Sequence, residues 1–296
     1  MSQHENETAR QITAPASPRP GSSLHYAALL MPSRQRRAGF ALLRLWLNVA
    51  SIPMSISDPG VAETKLRWWA QEWARATDGT AQHPQIVSLA EALRTTATPW
   101  PDADLWHSQI EAWVQLAHQN RWLNQDALDQ HLNDSTGKAA RMAALVLGAR
   151  SEAAQAAAHR LGVGLRRAHL LARLGQDARA GWIMVGIDRL QHHDVKAHQI
   201  SKPGRPAPDG FDALVKEMAT AAHTDLRNGW SAVQALTASE RRALLPLLAL
   251  ARCASVLLQE ITRSGDAVLH QRLVLTPARK SWLCWQTRWG WGALPH

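Results

Sequence analysis

Residues 57–73 read SDPGVAETKLRWWAQEW, and how they fold decides the class of the protein. Asp58-Pro59-Gly60 is a turn signal. Pro59 suits the first position of a helix, where a missing N–H has no intrahelical partner to lose. Asp58 is then the N-cap, its carboxylate accepting from a free backbone N–H, and Glu63 brings negative charge into an early turn. Val61, Leu66, Trp69 and Trp73 follow at helical spacing. The pattern predicts an amphipathic helix with these four inward and Glu63, Arg67 and Glu72 outward.

Outward from this helix the chain keeps to one kind of structure. Ala, Leu, Arg and Gln dominate long stretches without Gly or Pro, and no Asn-Gly or Asp-Gly sits between alternating β-branched residues; both features predict an all-α fold. Helices are expected over 42–49 up to Pro53, 84–95 behind His83, and two or three between 102 and 148 with turns at Asn133-Asp134 and Gly148. Residues 151–176 read as a long helix pair in which Gly162 and Gly164 allow a bend or close packing. Residues 177–210 read as a loop-rich insertion, followed by helices over 211–236, 238–264 and 275–291. There is no internal repeat and no linker. At 296 residues the chain is near the ~250–300 at which single cores stop growing. One helical domain over 23–296 is expected behind a polar, Pro-rich tail, 1–22, taken as disordered.

The chain carries a net charge of +9, a sequence pI near 10.5 and 14 histidines. Such a balance suits polyanions: phosphate-bearing ligands, anionic membrane surfaces or nucleic acid. No nucleic-acid-binding motif accompanies the charge, so that class is set aside. The longest apolar run, residues 243–251, contains Pro246 and falls far short of the ~20 residues of a membrane span. With no apolar leader at the N-terminus, a cytoplasmic protein is expected, with peripheral seating at the inner face of a membrane left open. Cys253 and Cys284 lack metal-ligand spacing and read as two buried, reduced thiols.

Residues 57–73 resemble the segment of squalene/phytoene synthase family proteins that follows their first aspartate-rich motif, where an S-D-P turn leads into a K-L-x-W-W helix. Ser23-Leu24-His25-Tyr26, Pro32 and the arginines at 34, 36 and 37 resemble the family opening. ERRALLPLLALARCASVLLQEITRSG (240–265) and RLVLTPARKSWLCWQTRW (272–289) resemble its C-terminal helices. The likeness covers most of residues 23–291. It implies an all-α, isoprenoid synthase-like bundle of about eight to twelve helices, with Trp68, Trp69 or Trp73 buried.

The family ionises an allylic diphosphate with Mg²⁺, a cation that takes hard carboxylate ligands. Two D-x-x-x-D-like motifs supply them, and a spacing of four puts both carboxylates on one helical face. Counting back from Asp58, the first motif falls on residues 50–54, which are Ala50, Ser51, Ile52, Pro53 and Met54. None is acidic. The second falls on LARLGQDARAGWIMVGIDRL (171–190), where Arg173 stands at the first Asp, Gln176 at the Glu, His169 at the Asn and Ala172 at the Arg. Met184 and Gly186 replace the usual Tyr and Pro. Asp177 alone is kept. No metal or cofactor is therefore expected, Mg²⁺ entering only if prenyltransferase chemistry survives.

Arg166, His169 and Arg173 share a helical face, with Asp177 one turn further on. They read most plainly as a solvated or salt-bridged face on which Asp177 neutralises Arg173, any cavity being narrowed by Met54 and Trp182. The sharper reading is a site that binds diphosphate directly through guanidinium groups. Trp282, Trp285 and Trp289 are expected to pack into the core. A basic amphipathic helix on an anionic membrane comes second. His192-His193-Asp194 and His198 read as a polar loop without partner ligands. The function expected is that of a non-catalytic family member with a scaffold, assembly or isoprenoid-binding role, its partner a protein, an isoprenoid or another lipid. The runners-up are a prenyltransferase condensing isoprenoid diphosphates in carotenoid, hopanoid or squalene synthesis, and a peripheral lipid-binding protein.

Overall fold

The computed structural model describes residues 18–290 and Leu294. In it Asp58 caps a helix over Pro59–Thr77, its Oδ1 accepting from the amide of Val61 at 2.9 Å. The inward face is Ala62, Leu66, Trp69, Glu72 and Trp73, while Val61 is exposed. The expected places of Val61 and Glu72 are thus reversed. At 100° per residue the two lie on the same flank of the helix, and only Glu72 is covered there, by the loop that leads to the next helix. Its carboxylate accepts from the amides of Gln82 and His83, the latter at 2.6 Å, and from Arg75 at 3.2 Å. Trp73 and Trp69 are buried as expected, whereas Trp68 stays largely exposed.

Nine helices among the described residues run ten residues or more: α1 (Arg36–Ala50), α2 (Pro59–Thr77), α3 (Pro84–Thr95), α4 (Ala103–His118), α5 (Lys138–Leu147), α6 (Glu152–Ala172), α7 (Phe211–Gln234), α8 (Leu245–Ser264) and α9 (Pro277–Arg288). The described strands are Arg121–Trp122 and Ile183–Gly186, a single parallel pair that ties the segment after Asp177 to the end of α4. The fold is all-α.

Two apolar clusters meet on α5. Ala140, Ala144 and Leu147 join the cluster built by α6, α7 and α8, and Met142 and Val146 join the one built by α1 to α4. The second is organised by tryptophan. Trp73 stacks on Trp106 at 4.5 Å, and Trp106 and Trp46 both set their edges against Trp113. Two of the polar edges are served, Trp46 donating to Gln109 at 3.0 Å and Trp106 to the carbonyl of Trp69 at 3.4 Å, while the buried indole N–H of Trp73 has no partner among the described residues.

Gly162 and Gly164 do not bend α6, which runs unbroken over Glu152–Ala172. They let neighbours touch its backbone. A Cβ at 162 would stand 2.5 Å from the carbonyl oxygen of Thr136, and one at 164 would stand 2.9 Å from the amide of Leu226. The first contact seats α6 against the turn that leads into α5, and the second seats it against α7.

Of the expected tail, residues 1–17 lie outside the described residues. Residues 18–22 hold a turn, Ser22 caps the short Ser23–Ala28 helix, and the carbonyl of Gly21 accepts from Lys280 at 3.2 Å. Cys253 and Cys284 are free and buried, one on α8 and one on α9. Their thiols hydrogen-bond each other, which pushes Cys284 up.

One expectation for α9 fails. Its inward residues are Leu283, Cys284 and Thr287, while Trp282, Trp285 and Trp289 are 52%, 40% and 60% exposed. The i, i+3, i+7 spacing gives a stripe without saying which side of the helix faces the protein.

Candidate functional site

The second half of α6 and the short helix after it build the site. α6 ends at Arg173, whose backbone leaves the helical region (φ −112°, ψ 3°), and Leu174–Arg179 restarts at once. Gly175 lets this short helix press against the Ala267–His270 turn, because a Cβ there would stand 2.2 Å from the carbonyl oxygen of Leu269. Arg179 then donates to that same oxygen. The contact brings the segment bearing Arg272 to the end of α6, over a sequence separation that no local pattern reveals.

Arg173 clasps Asp177. Its Nε lies 3.0 Å and 3.3 Å from the two carboxylate oxygens, and its Nη2 lies 2.7 Å from Oδ1. Arg166 donates from Nη1 to His169 Nδ1 at 3.0 Å. An imidazole that accepts in this way is neutral, and His169 is pushed down to about 3 by burial and by Arg166, Arg173 and Arg272. Burial also lowers Arg166, with Arg173 adding repulsion and Asp177 opposing it. Arg272 is lowered by burial and then by Arg173 and Arg19. His169 nonetheless presents a large accessible surface. Its surroundings are crowded enough to disfavour charge, while its outer surface stays open to solvent.

Beneath it lies His131, 3% exposed, with its ring 4.8 Å from that of Trp122. Burial, then Arg166, push it down to about 4, against the weaker pull of Asp134. Its Nδ1 has no hydrogen-bond partner among the described residues. Arg167, next in sequence to Arg166, shows the contrast: it is held at 2.8 Å by both Asp129 and Asp225. Arg166 and Arg272 have no such carboxylate among the described residues.

The structure thus brings Arg166, His169, Arg173 and Asp177 together and adds Arg19, His131 and Arg272, which sequence reasoning missed. Gly175, an isolated glycine inside a helical pattern, marks a close approach there without saying which segment makes it, and nothing local points to Arg19 or His131.

The donors do not fit the magnesium cluster of a prenyl synthase. Both oxygens of Asp177 face Arg173. Ala50 ends α1, the hydroxyl of Ser51 donates to the carbonyl of Asn48 at 2.7 Å, and Met54 is 44% exposed on the short Ile52–Ser55 helix. That helix packs chiefly on α4 and α2. Met54 therefore does not narrow an interior cavity, contrary to expectation. Trp182 is half-buried and packs with Trp122, Leu128 and Met184.

The histidine loop also departs from its sequence reading. His192 and His193 close a short helix, and Glu217 of α7 reaches His193 at 2.7 Å, so a partner ligand type is present. Arg189 stands 3.4 Å from the other oxygen of Glu217. The carboxylate is shared between two side chains of the same helix, an ion-paired arrangement.

The family profile described as squalene/phytoene synthase matches residues 17–279. Among solved structures, the fold is similar to that of squalene synthase HpnC from Alicyclobacillus acidocaldarius, with a TM-score of 0.71 at 17% identity, covering 88% of this chain and 94% of that one. A dehydrosqualene synthase solved in complex with ligand gives a TM-score of 0.73 at 14% identity, covering 90% and 91%. YisP from Bacillus subtilis gives 0.64 at 16%, covering 88% and 89%. At these identities the likeness to solved structures concerns the fold alone. No curated protein sequence matches the chain.

Proposed function

We propose, from the premise that this chain belongs to the squalene/phytoene synthase family, that it is a non-catalytic member which holds the diphosphate end of an isoprenoid by arginine. The relatives of known fold are synthases by name, and the position occupied in such enzymes by a metal-binding carboxylate is Arg173 here. One observation carries the proposal. Arg166, Arg173 and Arg272 gather with His169 around a single carboxylate, Asp177, and Asp177 is already committed to Arg173. Guanidinium groups crowded in partly desolvated surroundings repel one another, and a polyanion relieves that repulsion while filling their donor directions.

A closed scaffold is the second reading, favoured by the bidentate Arg173–Asp177 pair, which satisfies one arm of the site without a ligand. It leaves Arg166 and Arg272 without a carboxylate of their own, Asp177 acting on them only at a distance, which is why the anion site is preferred.

Thermal unfolding with pyrophosphate separates the two. The melting temperature is expected to rise with the logarithm of pyrophosphate concentration, and the rise is expected to vanish in Arg166→Ala. A flat response assigns the scaffold. Magnesium-dependent release of pyrophosphate from farnesyl or geranylgeranyl diphosphate, lost in Asp177→Ala, would overturn the non-catalytic assignment and restore the prenyltransferase.

A further inference from the structure

The outward face of α9 is a feature that neither the fold nor the anion site uses. The helix already spends Leu283, Cys284 and Thr287 on its contacts with α8 and with the Ser23–Ala28 helix. Trp282, Trp285 and Trp289 form a second apolar side, each with a large part of its surface open to solvent. Trp282 and Trp285 stack with ring centroids 5.0 Å apart and planes 22° from parallel, and Trp289 follows at 6.3 Å from Trp285. With 52%, 40% and 60% of their surfaces exposed, the three rings make one continuous aromatic strip of roughly a few hundred Å². Val274, at the entrance to the helix, is 59% exposed.

The charges that α9 itself carries have one sign. After Asp266 the sequence contains no Asp or Glu, while Arg279, Lys280 and Arg288 lie on the helix. Arg279 is answered by Glu260 of α8 at 3.0 Å, and Lys280 by the carbonyl of Gly21. Arg288 is exposed at the C-terminal end beside Trp289. The complementary surface must be apolar and anionic at once. A second copy of this chain fails on charge, since it would set like arginines against each other across the strip. The interface of an anionic bilayer meets both requirements, and tryptophan is the side chain whose flat apolar ring and N–H suit the headgroup boundary. The helix beneath, α8, has the length and hydropathy of a membrane span, yet 61% of its apolar window is buried in the protein. It stays in the core.

We infer that α9 seats this protein on anionic membrane surfaces, with Trp282, Trp285 and Trp289 in the headgroup layer and Arg288 against lipid phosphate. This goes beyond the diphosphate site and does not depend on it.

The experiment is co-sedimentation of the full chain with large vesicles of phosphatidylcholine, alone or mixed with phosphatidylglycerol. The protein is expected to pellet with the mixed vesicles and not with the neutral ones, and to be released by raising the salt. The triple variant Trp282→Ser, Trp285→Ser, Trp289→Ser is expected to bind at least about tenfold more weakly, with an unchanged melting temperature and pyrophosphate response. Because a triple variant can fail for other reasons, quenching of wild-type tryptophan emission by brominated lipid chains gives a readout without substitution, and quenching is expected with anionic vesicles alone. Absence of binding to anionic vesicles overturns the inference, as does equal binding by the triple variant. A wild-type dimer that the triple variant loses, without lipid binding, assigns the strip to self-association and overturns it as well.

Discussion

Arg173 and Asp177 face each other across a break in the helix, Nη2 to Oδ1 at 2.7 Å and Nε to Oδ1 at 3.0 Å, with side chains 22% and 8% exposed. A cation four residues before the carboxylate makes the two an ion pair. Replacing Asp177 by Asn is expected to lower stability by about 2–4 kcal/mol, because a guanidinium is left with half its compensation in a partly desolvated site. It is also expected to tighten pyrophosphate binding, since Arg173 is freed for the anion. Urea titrations with and without pyrophosphate measure both effects. An Asn variant as stable as the parent, with unchanged pyrophosphate affinity, would mean that the pair governs neither.

Millimolar Mg²⁺ is expected to leave the melting temperature unchanged relative to EDTA. One carboxylate already engaged by arginine does not hold a cation that takes several hard oxygen ligands, and residues 50–54 supply no other acid. A saturable rise with Mg²⁺ that disappears in Asp177→Asn would refute this.

What could be read from the sequence is what is encoded locally. Asp58, Pro59 and the periodicity behind them fix the start of α2, because a cap and a fixed φ act within one turn. Arg166, His169, Arg173 and Asp177 could be grouped in advance because helical spacing alone brings them together. Glu72 could not be placed, since the amides that receive it belong to a loop some ten residues on. Arg272 and His131 lay beyond reach for the same reason at longer range. The outward turn of Trp282, Trp285 and Trp289 was invisible because a stripe of large apolar side chains is the usual mark of a buried face, and the side actually buried, Leu283, Cys284 and Thr287, is smaller and less apolar.

Glu72 gives a stability test in the α2–α3 corner. Burial works to raise its carboxyl, but the amides of His83 and Gln82 together with Arg75 outweigh this and hold it below the usual range. A carboxylate depressed in the folded state contributes stability that is present above its unfolded pKa and is lost as pH falls through its folded value. Glu72→Ala is expected to cost about 1–3 kcal/mol at neutral pH, because two backbone donors lose their acceptor. The difference between parent and variant is expected to shrink at strongly acidic pH, where the parent is protonated too. Chemical denaturation at the two pH values measures it, and a pH-independent difference would exclude the carboxylate as its source.

His131 sets the acid limit at the other end of the site. Its ring is buried against Trp122, and the charged groups that act on it are Arg166, which opposes protonation, and Asp134, which favours it less strongly. Held down to about 4 in the fold, it stays neutral where an unfolded histidine, near 6.5, already carries a proton. Between those values the unfolded chain binds more protons, so stability falls as pH falls, by up to about 1.4 kcal/mol per unit from this residue, and levels off below the folded value. Above the unfolded value its contribution is complete. His131→Phe keeps an aromatic ring beside Trp122 and removes both the titration and an Nδ1 without a partner. The variant is expected to match or exceed the parent at pH 7 and to lose distinctly less stability by pH 5, read from urea midpoints at a series of pH values. Bound pyrophosphate is expected to flatten the parent's own slope, because an anion at Arg166 removes the repulsion that helps keep His131 neutral. A parent and a Phe variant with parallel pH profiles would show that His131 titrates normally, and the claim that burial and Arg166 oppose its protonation would fall.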